Sequence, residues 1–169
     1  PLTNPANANA QVLGVYDPKL ASPMAYALGK LGCEEAIVVH GLDGLDEIST
    51  LGKTVIAHLR AGKVSEVATF PIDFGLKTAK ISHLQTSTPQ ESAQAIIKVL
   101  RGNISCAKGQ IVLVNSAAGI IVGGKAKDFK EGIEIARESI QSGKAYGKLE
   151  ELIRVSGGDL GRLETLEDK

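Results

Sequence analysis

QVLGVYDPKLASPMAYALGKLGCEEAIVVH, residues Gln11–His40, decides the fold. Gln11–Tyr16 reads as a short buried strand. Asp17 and Pro18 supply an N-cap and a first-turn proline, so a helix begins there. Leu20, Met24, Ala27, Leu28 and Leu31 recur at helical spacing, and Gly32 ends the run. Ala36–His40 is apolar without interruption, as in strands covered on both faces. Strand, helix and strand within about thirty residues form a βαβ unit, parallel and right-handed. The fold class is therefore α/β.

Outward from this unit the pattern changes. TVIAHLRAGKVSEVATF, Thr54–Phe70, alternates, turns at Arg60–Lys63 and alternates again, which predicts a β-hairpin. Thr88, Pro89 and Glu91 open a capped helix that Gly102 stops. Asp128 and Glu131 repeat that design, with Phe129, Ile133, Ala136 and Ile140 on one face. Ile111–Gly124 admits either a strand or a helix by periodicity; its length and small residues favour a buried helix. Ala145–Val155 predicts a last short helix, followed by a charged, frayed tail.

Composition excludes several classes. Among 169 residues, 19 are basic and 19 acidic, so no global field draws nucleic acid or an anionic membrane. Aromatics are 4% with no Trp, so Val, Ile, Leu and Ala must build the core. Cys33 and Cys106 lie far apart without a CxxC spacing, which argues against structural zinc. No apolar run reaches ~18 residues, and the start has no signal-peptide pattern. A cytoplasmic location is the expectation.

Two glycine-rich stretches imitate phosphate loops. GIIVGGKA, Gly119–Ala126, has G-x-x-x-x-G-K but ends in Ala126, where a hydroxyl should reach magnesium. It also ends an apolar run and opens no long helix, so it reads as a helix C-terminus. SGGD, Ser156–Asp159, reads as a helix stop. His40, His58 and His83 are scattered and read as structural.

The chemistry gathers in VVHGLDGLDEIST, Val38–Thr50. Asp43, Asp46 and Glu47 follow a strand of the βαβ unit, at the end where α/β sheets bind ligands. Asp46 and Glu47 are adjacent, with few basic neighbours in sequence. Hard oxygen ligands in small number suit magnesium, which keeps waters and shares substrate phosphates.

PLTNPANANAQVLGVYDP, VVHGLDGLDEIS and GKAYGKLEELI together resemble the C-terminal part of the anthranilate phosphoribosyltransferases, over essentially the whole chain. The resemblance implies the C-terminal portion of a nucleoside phosphorylase/phosphoribosyltransferase-type α/β domain, with a largely parallel sheet, flanking helices and a hairpin. It implies transfer of phosphoribosyl from phosphoribosyl pyrophosphate to anthranilate in tryptophan biosynthesis. It assigns Asp46 and Glu47 to magnesium, with no catalytic acid, base or nucleophile among them, and places Pro1 beside the anthranilate channel. The family's N-terminal helical domain, GTGGD loop and KHGN segment do not occur here. Residues 1–169 are thus expected to be one part of the domain. The partners expected are both substrates, the missing N-terminal part, and a second copy when the enzyme is complete. Alone, the chain is expected to be inactive. The alternatives are a pyrimidine nucleoside phosphorylase-like enzyme and a non-catalytic metal-binding or assembly module.

Overall fold

The computed structural model describes residues 2, 5, 6 and 8–167, the side chain of residue 167 excepted. Strand β1 (Ala10–Gly14) pairs in parallel with β2 (Glu35–Gly41), from Ala10 opposite Glu35 to Gly14 opposite Val39. Between them Asp17 accepts from the Lys19 N–H and starts a single 3₁₀ turn, which runs into helix α1 (Ala21–Lys30). The βαβ unit is as expected in order, with two corrections: β1 is only half-buried, since Val12 faces solvent and Tyr16 lies exposed beyond its end, and α1 buries a different face. Leu31 lies past the helix end and is 63% exposed, whereas Ala21, Ala25 and Leu28 are buried.

Strands β3 (Thr54–Arg60) and β4 (Lys63–Thr69) form the expected hairpin. Its two-residue turn puts Ala61 at φ 49° and Gly62 at φ 73°, the doubly left-handed geometry that matches strand twist. The sheet order is β1-β2-β3-β4. The expectation of a largely parallel sheet needs correction. Among the described residues only β1–β2 is parallel; β2–β3 and β3–β4 are antiparallel. Residues 42–53 form a loop instead of a crossover helix, so β3 starts where β2 ends and runs back.

Alternation along β2 feeds two cores. Ala36 and Val38 join Ala57 and Leu59 against α1. Ile37 and Val39 join Ile48 and Ile56 on the opposite face, covered by helices α3 (Ala107–Val122) and α4 (Phe129–Gln141). The ambiguous apolar segment is α3. It begins earlier than its apolar run suggests, because Cys106 serves as N-cap and its Sγ accepts from the Gly109 N–H. Gly132 lets α4 close on α3, since a Cβ there would lie 2.9 Å from the Ala117 Cβ.

Helix α2 (Pro89–Leu100) is capped by Thr88 and α4 by Asp128, as expected. The reciprocal acid bonds are shifted by one residue: Glu91 accepts from the Ser87 N–H and Glu131 from the Lys127 N–H. Helix α5 (Lys144–Val155) ends in a left-handed turn at Gly157. The tail expected to fray is helix α6 (Leu160–Glu167). Leu163 is buried there beside Tyr146 and Ile97, and this apolar contact outweighs the local charge that suggested fraying. Cys33 and Cys106 are both free thiols. No helix among the described residues is long and apolar enough to cross a membrane.

Candidate metal centre

The loop after β2 is built from its own polar side chains. The Gly41 N–H donates to the Leu45 carbonyl at 2.7 Å, and the Gly44 N–H to the Gly41 carbonyl at 2.9 Å. Gly44 sits at φ 98°, which only glycine adopts cheaply. Asp43 accepts from the Leu45 N–H and the Ser49 hydroxyl. The Ser49 oxygen accepts in turn from the Leu51 N–H at 2.9 Å, and Thr54 Oγ1 from the Ser49 N–H at 2.9 Å. The loop engages both Asp43 oxygens. Asp43 is therefore an organiser of the turn.

Asp46 and Glu47 are exposed. Among the described residues neither forms an ion pair or a side-chain hydrogen bond. Burial against the neighbouring cleft pushes the Glu47 carboxyl above its usual range, and the Asp46 charge pushes it further the same way. A carboxylate raised partly by a like charge gains from a divalent cation, which removes the repulsion. The donor set is hard oxygen, as magnesium prefers. Among the described residues no group of three or more His, Cys, Asp or Glu side chains converges. Two carboxylates alone cannot fill a magnesium shell, so an ion held here would need water or other oxygens besides.

Two residues not picked out from the sequence shape the backbone of this pair, one by leaving room for it and one by bonding to it. Gly14, the last residue of β1, lies under the Asp46 carbonyl; a Cβ there would be 1.8 Å from that oxygen. Asn115, on α3, accepts from the Ile48 N–H and donates to the Ile48 carbonyl, both at 2.9 Å. A glycine inside a strand and a lone Asn in an apolar helix were the available signals. Beside the loop a cleft of about 380 Å³ is lined by Glu47, Leu45, Leu84, Ile96, Lys108 and Ile111 among others.

The other candidates separate from the pair. His40 is buried, its Nδ1 2.7 Å from the Val15 carbonyl oxygen. His58 lies 3.0 Å from Glu35, and His83 closes a 3₁₀ turn. Gly123 and Gly124 end α3, with the Gly124 N–H donating to the Ile121 carbonyl. These amides are used within the helix end and form no phosphate cradle. SGGD terminates α5, and Asp159 accepts from the Gly161 N–H. Pro1 lies outside the described residues.

Comparison with known proteins places the chain in a family. The anthranilate phosphoribosyltransferase of Pelotomaculum thermopropionicum is 47% identical over 157 residues, which is 93% of this chain and 45% of that relative. The crystal structure of anthranilate phosphoribosyltransferase from Thermus thermophilus superposes with a TM-score of 0.80 at 38% identity, over 90% of this chain and 44% of that one. A Saccharomyces cerevisiae anthranilate phosphoribosyltransferase in complex with PRPP and Mg superposes with a TM-score of 0.72 at 32% identity, over 83% of this chain and 41% of that one. The chain spans under half the length of the relatives it matches. Residues 1–146 match the description "Glycosyl transferase family, a/b domain", and the chain belongs to that family.

Proposed function

We propose that this chain supplies the metal-binding part of an anthranilate phosphoribosyltransferase, and that Asp46 and Glu47 hold magnesium beside phosphoribosyl pyrophosphate. The observation that carries the reading is the exposed Asp46–Glu47 pair, without a cationic partner among the described residues, at the C-terminal ends of the parallel β1–β2 pair. Relatives named for this activity, one with PRPP and Mg in its structure, support it.

In the reaction a bond forms between the anthranilate nitrogen and ribose C1, the C1–oxygen bond to pyrophosphate breaks, and the amine's proton passes to the departing pyrophosphate or to water. Asp46 and Glu47 would hold the magnesium, which would supply charge neutralisation at the departing pyrophosphate oxygens. Asp46 and Glu47 keep their electrons for coordination and act as neither nucleophile nor base. Asp43 and Ser49 hold the turn that presents them. Anthranilate, a role for Pro1, and the domain that completes the site belong to the same proposal, as does assembly into a dimer.

Pyrophosphate needs several convergent backbone donors, and the two glycine-rich stretches here spend theirs on helix ends. The isolated chain is therefore expected to consume no anthranilate. The test follows anthranilate fluorescence with the chain alone, with the front portion of the enzyme alone, and with both mixed. Turnover only in the mixture is the expected result. Turnover by the chain alone, abolished by Asp46→Asn, would place the phosphate cradle within these residues. No turnover in the mixture, when both parts are folded and associated, would remove the assignment.

A further inference from the structure

Asn115 is remote from the acidic loop in sequence, 67 residues beyond Ile48, and touches neither carboxylate. Its carboxamide is nevertheless fully committed to that loop and to its own helix. Oδ1 accepts from the Ile48 N–H, while Nδ2 donates to the Ile48 and Ile111 carbonyls, each at 2.9 Å. Two carbonyl partners for the nitrogen fix which way the amide faces, since a flipped group would set oxygen against oxygen.

The clamp acts on a particular bond. The Ile48 N–H belongs to the peptide that joins Glu47 to Ile48. The preceding peptide, from Asp46 to Glu47, has its carbonyl packed over Gly14. Of the two peptides flanking the Glu47 Cα, one is hydrogen-bonded to α3 and the other packs closely against β1. The Ile48 side chain, 0% exposed in the core between sheet and helices, anchors the same point. Glu47 retains rotation of its side chain but little of its backbone.

Ile48 is fully buried, so its N–H and carbonyl are cut off from water, and Asn115 supplies a partner to each. Metal ligands on neighbouring residues depend on groups beyond the coordination shell for their orientation. We infer that Asn115 is a positioning residue for the metal carboxylates, acting by fixing the Glu47–Ile48 peptide so that Glu47 stands beside Asp46 in a geometry one divalent ion can share. This rests on the magnesium assignment of the preceding section.

The test uses the complete enzyme and Mn²⁺ as probe, with bound ion measured from the loss of the free Mn²⁺ paramagnetic resonance signal. Asn115→Ala should weaken Mn²⁺ binding by roughly tenfold or more, the usual cost of losing an orienting partner of a metal ligand. Asn115→Asp keeps the acceptor for the Ile48 N–H and should lose less affinity than Asn115→Ala; it also serves if the alanine variant fails to fold. Binding is read on folded protein, with melting followed by circular dichroism. Kinetics should show the same split: a raised magnesium requirement, largely overcome by saturating metal. Folded Asn115 variants with wild-type Mn²⁺ affinity would overturn the inference and leave Asn115 as a stabilising contact. Asp46→Asn with Glu47→Gln serves as the parallel arm. Wild-type Mn²⁺ binding there would instead remove the metal assignment itself.

Discussion

Replacing Gly14 with alanine probes the seam between sheet and acidic loop. The added Cβ would sit 1.8 Å from the Asp46 carbonyl oxygen and 2.8 Å from its carbon. Real Cβ contacts essentially never fall under 3.0 Å, so about 1.2 Å of separation, the difference between 3.0 and 1.8 Å, has to be found. Backbone opposes backbone, so no rotamer change supplies it. On one side, β1 is held by its ladder to β2, by the Val15 N–H to the Val39 carbonyl, and by His40 against the Val15 carbonyl. On the other, the loop is held by Asn115 and by Asp43 with Ser49. Overpacking of this kind costs roughly 3 kcal/mol. A displacement near 1 Å at a positioned site costs on the order of 10²-fold in rate. Urea unfolding gives the first quantity, and anthranilate consumption by the complete enzyme the second. Gly147 in α5 is the control, because nothing lies within 4 Å of a Cβ there; Gly147→Ala should stabilise by about 0.5–1 kcal/mol. A Gly14→Ala protein with wild-type stability and turnover would refute the close approach.

The raised Glu47 carboxyl gives a pH prediction with a definite sign. Because its folded pKa lies above the ordinary value of 4.5, its contribution to stability is present below 4.5 and is lost as pH rises through the folded value. In chelator, Glu47→Gln should therefore gain on the parent protein as pH climbs from about 4 to about 7, by less than ~1 kcal/mol because the group meets solvent; equal melting shifts at both ends would contradict this. Thr50 is 0% exposed and its Oγ1 has no hydrogen-bond partner among the described residues. Thr50→Val should raise stability by about 1 kcal/mol, and a loss of that size in chemical denaturation would show that the hydroxyl is satisfied after all.

Local signals of a few residues were legible in the chain. Asp17-Pro18, Thr88-Pro89 and Asp128 mark helix starts that the structure contains, and period-two alternation marks the hairpin. Cys106 as a cap and α6 as a helix were not legible, because a thiol is a rare cap and α6 owes its burial to Tyr146 and Ile97, far away in sequence. The antiparallel return of β3 was hidden for a similar reason, since strand direction depends on where the loop delivers the chain. At the candidate site, adjacency, the strand-end position, the scarcity of basic neighbours and the family resemblance brought out Asp46 and Glu47. The division of labour among three acids was not readable, because it depends on which carboxylate Ser49 reaches. Gly14 and Asn115 meet the loop only through tertiary contact.

Asp46 and Glu47 are proposed to hold the metal with which the substrate's pyrophosphate is engaged. A magnesium titration of anthranilate consumption, in the complete enzyme with Asp46→Asn and Glu47→Gln together, tests this most directly. Turnover should fall by at least about 10²-fold, as when a group stabilising the developing charge is removed. The magnesium response should be lost or strongly weakened, with stability changed by no more than ~1 kcal/mol because both side chains are exposed. An unchanged rate and an unchanged magnesium curve would contradict the assignment.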